Sequence, residues 1–306
     1  MLKYIEEFKV YLQSQNCAKN TILAYLSDIN DFHIYLIKEN RDNIHSIDKE
    51  IIRAYLIFLM ENHISNRSIS RKVSSIKVFC KFLLINDYLS INPAKYVKTP
   101  KYSKKLPVFF SVEEIFELCD LPVSDNKFGI RDKALFEMFY SSGLRISEVA
   151  DISIKDIDFK QNLITVIGKG SKKRVVPITI SCIEKLNNYL KIRDSFSPED
   201  TEILFVSKSG KQLDRNQLYA IMKKYINQIS SKSGYSPHTI RHTFASHLLQ
   251  NGADLLSIKE MLGHSNLSTT EIYTHINPEN VRSEYLRGHP RAKNESHNNE
   301  NQKTKK

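Results

Sequence analysis

Apolar positions recur with helical spacing through the first third of the chain. Residues 2–14 alternate apolar and charged groups at that period. Asn20 is placed to cap a second helix carrying Ile22, Leu23, Leu26, Ile29, Phe32 and Leu36, and Asp48 a third carrying Ile51, Ile52, Tyr55, Leu56, Phe58 and Leu59. Asn66 or Ser68 begins a fourth, with Ile69, Val73, Ile76, Cys80 and Leu83 as its core stripe. Its other face interleaves Arg67, Arg71, Lys72 and Lys77 with Ser70, Ser74 and Ser75. Long basic and short hydroxyl side chains together suit phosphate contact and entry to a DNA groove. A solvated helix face has the same composition.

The pattern then breaks. Asn92-Pro93-Ala94 ends the helical set, and residues 96–106, YVKTPKYSKKL, hold four lysines without periodicity. The expectation is a helical domain over 1–95, an exposed linker over 96–107, a second domain over 108–290 and a disordered basic tail over 291–306.

The second region mixes helices with a small antiparallel sheet. Ser111 and Glu114 make an S-x-x-E capping box. A helix runs from about Ile130 to Tyr140, Gly143 breaks it, and Arg145 begins the next turn. Residues 162–168 (NLITVIG) and 173–178 (KRVVPI) are β-branched runs around a turn containing Lys169. A helix follows through Ile183, Leu186 and Leu190, then a short strand over Ile203 to Val206, then a helix from Asp214 or Asn216 through Ile226. In 236–275, Ser236 caps a helix with Pro237 at its first position and Gly252 at its end. His238 and Arg241, three apart, share a face near its N-terminus, where an anion is favoured. A second helix runs from Asp254 to Met261 or Leu262, with Gly263 as a stop and His264 beyond it. Ser268 and Glu271 box a third, short helix carrying Tyr273, and residues 279–287 form a last one.

Composition narrows the chemistry. A chain of 306 residues, 41% hydrophobic, can build two ordinary cores, and its net charge of +11 favours an anionic partner, most simply nucleic acid. Cys17, Cys80, Cys119 and Cys182 are widely spaced and read as reduced, mostly buried thiols. No apolar run reaches membrane-spanning length, the opening MLKYIEEFKV lacks a signal-peptide core, and no nucleotide-binding glycine motif occurs. The expected location is cytoplasmic. His238 and His242 have ligand spacing, but an arginine stands beside them and the metalloprotease glutamate is missing, so no metal or other cofactor is expected.

Arginines suit a phosphodiester because the planar guanidinium matches phosphate oxygens and keeps its charge. Arg145 and Arg241 are candidates for that role, Lys169 for protonating a leaving oxygen, Tyr273 for the nucleophile, and His238 and His264 for assisting. Taken singly, each also has an ordinary structural reading; His242 and His247 are read as packing histidines.

Four segments of the second region, SSGLRISEVADIS, VIGKGSKKRVVPI, SPHTIRHTFASHLL and LGHSNLSTTEIYTH, together resemble the boxes of the tyrosine recombinase (phage integrase) family. NTILAYLSDINDF and SISRKVSSIKVFCKFL look like its core-binding domain, and the ending GHPRA resembles the Xer-type members. The resemblance covers nearly all of residues 1–292. It assembles Arg145, Lys169, His238, Arg241, His264 and the nucleophile Tyr273 into one catalytic set, which spacing alone does not do.

The fold implied is mainly α with a small antiparallel β-sheet in the second domain. It is a two-domain C-shaped clamp: a helical, SAM-like core-binding domain plus a catalytic domain. The activity implied is site-specific recombination through a 3′-phosphotyrosyl intermediate and a Holliday junction, serving chromosome dimer resolution and segregation. Implied partners are a double-stranded DNA recombination site, a homo- or hetero-tetrameric synapse with a second Xer-type recombinase as one arrangement, and a septal DNA translocase. In that synapse the last helix packs onto a neighbour. Arg67, Arg71, Lys72, Lys77, Lys172, Lys173 and Arg174 are the expected DNA contacts. A type IB topoisomerase or a non-enzymatic DNA-binding protein are the alternatives; the full residue set argues against the second and the Xer-like ending against the first.

Overall fold

The computed structural model describes residues 1–100, 108–168, 173–200, 202–229, 235–263 and 278–292. The chain divides into two compact units, Met1–Lys105 and Leu106–Lys306. Its described residues are mainly helical, with one three-stranded antiparallel sheet in the second unit. Among them, no helix is long and apolar enough to cross a membrane. Cys80, Cys119 and Cys182 are buried, as expected.

The first unit consists of α1 (Leu2–Ser14), α2 (Lys19–Lys38), α3 (Lys49–Glu61) and α4 (Asn66–Ile85). Asp48 caps α3 as expected, accepting from the Ile51 N–H at 2.7 Å. The cap of α4 is Ser65, one residue before the expected start, accepting from the Ser68 N–H. α2 begins at Lys19 with Ala18 at the cap position, so Asn20 lies inside the helix and caps nothing. Phe8, Phe32, Ile52, Val73, Ile76, Phe79 and Leu83 form the centre of the core. That core reaches Val97, within the stretch expected to be linker, because Val97 and Ala94 close over its end.

Under the polar face of α4 lies a buried ionic cluster. The Asp28 carboxylate on α2 is fully buried and accepts from Arg71 Nη1 at 2.5 Å, Ser75 Oγ at 2.7 Å and Lys72 Nζ at 3.4 Å. Lys72 Nζ also donates to Asp31 at 2.5 Å. A carboxylate removed from water needs such partners to stay charged.

The second unit is built on α6 (Lys127–Ser142), whose side chains from Ala134 to Ser142 are all buried. It starts earlier than its apolar pattern indicates because Asn126 accepts from the Gly129 N–H at 2.9 Å. Before it comes α5 (Val112–Asp120), opened by the full Ser111–Glu114 capping box. After it come α7 (Ile146–Ala150) and the sheet, β1 (Ile157–Asp158), β2 (Leu163–Ile167) and β3 (Lys173–Pro177), in the order β1-β2-β3. The register pairs Val166 with Arg174 and Ile164 with Val176, so Ile164, Val166 and Val176 face the core. Residues 203–206 form only isolated bridges, Ser153 to Ile203 and Val206 to Gln212, rather than the expected strand. The remaining helices are α8 (Ile180–Arg193), α9 (Arg215–Ile229), α10 (Pro237–Gln250), α11 (Leu255–Leu262) and α12 (Pro278–Gly288).

In the C-terminal part, one expected boundary is corrected. α12 packs on α10, α11 and β3 of its own chain: Tyr285 is fully buried and donates to the Ser141 carbonyl at 2.9 Å. The packed unit also continues past residue 290. Arg291 pairs with the buried Glu137 at 3.0 Å and lies over the Phe116 ring, and Ala292 is in the core. A guanidinium beside a buried carboxylate and an aromatic face is held by charge and packing together, so 291 and 292 do not belong to the tail. Residues 293–306 lie outside the described residues.

Candidate active site

Three arginines from three separate elements converge on the carbonyl end of α11. Arg174 Nε on β3 donates to Met261 O at 2.9 Å, Arg241 Nη2 on α10 to Leu262 O, and Arg145 Nη2 at the start of α7 to Gly263 O at 3.1 Å. The last carbonyls of a helix lack intrahelical partners and carry the negative end of its dipole, so cations are favoured there. Asp254 opens this helix by accepting from the Ser257 N–H, and Gly263 closes it at φ 62°, as the sequence indicates. His264 is the next residue in the chain.

A single carboxylate binds the cluster together. Glu148 on α7 has a side chain only 6% exposed. Its Oε1 accepts from Arg145 Nη1 at 2.8 Å and Arg174 Nη1 at 2.9 Å. Its Oε2 accepts from Arg174 Nη2 at 2.9 Å and from the Arg145 backbone N–H at 2.8 Å, and Arg241 Nη1 lies 4.0 Å away. Burial alone would push this carboxyl up; the hydrogen bonds and charges of Arg174 and Arg145 outweigh it and hold the group below the usual carboxylate range.

Arg241 is fixed from the other side, its Nη1 donating to Gly143 O at 2.7 Å. Burial, and then the Arg145 guanidinium, push Arg241 down to about 10, with Glu148 opposing and Arg174 adding to the shift. It stays protonated at neutral pH. Three guanidiniums around one carboxylate leave an excess of positive charge, and Arg145, 36% exposed, opens the cluster to solvent. Such a place suits an oxyanion held by preorganised N–H donors.

Of the expected catalytic set, Arg145 and Arg241 meet here although 96 positions separate them. His238 is exposed on the first turn of α10, three residues before Arg241. Lys169, His264 and Tyr273 lie outside the described residues, as do Lys172 and the expected helix starting at Ser268. His247 is a packing residue as expected, its ring nitrogens 3.0 Å from Tyr140 Oη and 3.0 Å from Phe110 O. His242 is exposed, and among the described residues no group of three or more His, Cys, Asp or Glu is gathered as for a metal ion.

The expected DNA contacts divide. Arg67 and Arg71, with Ser68, Ser70 and Ser74, line an open concavity of about 290 Å³ on α4. Lys77 is half-buried and Lys173 exposed. Lys72 does not belong to this face: its side chain is 11% exposed and committed to Asp28 and Asp31. Nor is Arg174 an exposed contact; its side chain is 10% exposed and turned onto Glu148. The residue that the pattern alone misses is Glu148. Its signal is the spacing Arg145-x-x-Glu148, opening two residues after the helix-ending Gly143, which lets the carboxylate turn back onto the arginine.

Residues 109–280 match the Phage integrase family, and residues 5–86 match the Phage integrase, N-terminal SAM-like domain. The chain is 36% identical over 291 residues to Tyrosine recombinase XerD of Staphylococcus epidermidis, covering 94% of this chain and 99% of that protein. It is 37% identical over 307 residues to Tyrosine recombinase XerC of Syntrophus aciditrophicus, covering 96% and 99%. Among solved structures, it shares its fold with the XerH site-specific recombinase bound to difH substrate in a pre-cleavage complex. That match has a TM-score of 0.67 at 23% identity, over 89% of this chain and 80% of that one. The chain therefore belongs to the phage integrase family of tyrosine recombinases, enzymes that cut and rejoin DNA, and within it to the Xer type.

Proposed function

We propose that this protein recombines a specific DNA site through a covalent 3′-phosphotyrosyl intermediate. The observation that carries the proposal is the joining of Arg145 and Arg241 at the end of α11, immediately before His264 in the chain. The scissile phosphate sits against these arginines, which hold its non-bridging oxygens as charge builds in the transition state. The Tyr273 oxygen attacks phosphorus as its phenolic proton passes to a histidine of the set, and the P–O bond to the 5′ oxygen breaks. Lys169 gives that oxygen its proton, leaving a free 5′-hydroxyl, with His238 and His264 assisting through hydrogen bonds. The phosphotyrosyl ester conserves the bond energy. The 5′-hydroxyl of the partner duplex attacks it, restores a phosphodiester and releases tyrosine. One such exchange yields a Holliday junction, and a second pair of protomers resolves it.

The assembly is a four-protomer synapse on two sites, either of this chain alone or with a second Xer-type recombinase. The role that fits the Xer relatives is resolution of chromosome dimers, controlled by a septal DNA translocase, in the cytoplasm at the nucleoid. Incubation with a nicked copy of the chromosome-dimer site of its own genome, with and without a second recombinase, tests this. The wild-type chain is expected to become covalently attached to DNA, and Tyr273→Phe to bind nearly as well without attachment. An adduct formed by Tyr273→Phe would remove Tyr273 from the nucleophile's role; relaxation of supercoils without any specific site would replace recombination by a topoisomerase activity.

A further inference from the structure

Arg174 stands on β3 opposite Val166, two residues past the connection of the hairpin that carries Lys169 in sequence. It makes the only bond pair in the cluster that bridges both oxygens of Glu148 from one guanidinium, and its Nε holds Met261 O. It is packed tightly enough that a Cβ on Gly263 would come 3.0 Å from its Nη1. Arg145 and Arg241 hold the next two carbonyls of the same helix end. β3, α7, α10 and α11 are thus joined through one buried carboxylate and three consecutive carbonyls.

We propose that Arg174 is a positioning residue for the phosphate clamp: it locks Glu148 and the end of α11, and so keys the hairpin to Arg145 and Arg241. This rests on the phosphate-binding reading of Arg145 and Arg241. Arg174 does not itself face the substrate, since its side chain is nearly buried and three of its N–H groups are committed to protein acceptors. A planar fork is required because a lysine ammonium is a point charge and cannot grip two carboxylate oxygens and a carbonyl in fixed directions.

The test compares the wild-type chain with Arg174→Lys and Arg174→Gln in single-turnover adduct formation on a nicked site at saturating protein. Alongside it run site affinity, thermal midpoint, and NMR of the arginine Nε–H groups. Both variants are expected to form adduct about tenfold to a hundredfold more slowly, the loss typical of a reacting group displaced by about an ångström. Site affinity stays within about threefold and the Arg145 and Arg241 Nε–H signals shift or broaden. The Glu148→Gln, Arg174→Gln double variant is expected to be no slower than the worse single variant, as for residues acting as one unit.

An unchanged rate in folded Arg174→Lys overturns the proposal, as does a loss that merely follows the folded fraction. Weakened affinity with a shallower salt dependence at an unchanged saturated rate also overturns it, because Arg174 would then be a direct DNA contact. If the wild-type chain itself forms no adduct, the phosphotyrosyl reading fails. The NMR comparison still decides Arg174: unmoved Arg145 and Arg241 signals in Arg174→Lys refute it.

Discussion

Arg241 donates to the carbonyl of Gly143 at 2.7 Å, across 98 positions of sequence. The glycine ends α6 in the left-handed region at φ 61°, and the Phe244 ring occupies the space beside its Cα. The backbone that terminates one helix thereby orients a guanidinium on another. The arrangement needs a residue with no Cβ at that point.

Gly143→Ala is therefore expected to be costly twice over. A Cβ would lie 2.4 Å from Phe244 Cδ1, and the left-handed backbone is strained for any side chain. Strain and overpacking together amount to about 2–4 kcal/mol. Denaturant unfolding of the two proteins measures it; an unchanged midpoint would mean that the turn relaxes freely. Adduct formation by the folded fraction should also slow, because the Gly143 carbonyl moves with the turn.

Arg67 and Lys72 stand five residues apart on α4 and should respond oppositely to removal. Arg67→Ala is expected to reduce the slope of log affinity against log salt by about one, the loss of a phosphate contact, with little change in stability. Lys72→Ala is expected to destabilise the first unit by about 3 kcal/mol, since it removes a cation from the buried Asp28 carboxylate. DNA titrations at several salt concentrations and thermal melts separate the two. Equal salt slopes for Arg67→Ala and wild type would take Arg67 off the DNA face.

His289 is fully buried, its Nε2 3.2 Å from Tyr140 O and its ring stacked on Tyr285. Burial above all pushes it down to about 3; the bond to Tyr140 opposes the shift, and His247 and Arg291 add to it. Between that value and about 6.5 the unfolded chain binds a proton that the folded chain does not. Stability is thus fully present above about pH 6.5 and falls on acidification, by up to about 1.4 kcal/mol per pH unit from this group. The His289→Phe variant is expected to show a shallower loss of stability between pH 6.5 and 5. An identical slope would show that His289 exchanges its proton without opening the fold.

The local pattern carried the helices, many of their ends and the family motifs. Asp48, Ser111 with Glu114, Gly143, Asp254 and Gly263 act where their spacing indicates, because capping is settled within a turn of chain. The resemblance of four segments to the family's boxes points to Arg145 and Arg241 from the sequence alone. Other features depend on residues distant in sequence. Lys72 and Arg174 read as exposed bases beside other bases, yet each faces a carboxylate supplied from elsewhere, Asp28 at 44 positions and Glu148 at 26. Arg291 reads as tail, yet Glu137 waits under it on α6. Charge, periodicity and turn chemistry are local and legible in one dimension. Which base stays in water and which pairs in the interior is decided by packing, which alone brings the end of α11 under three arginines.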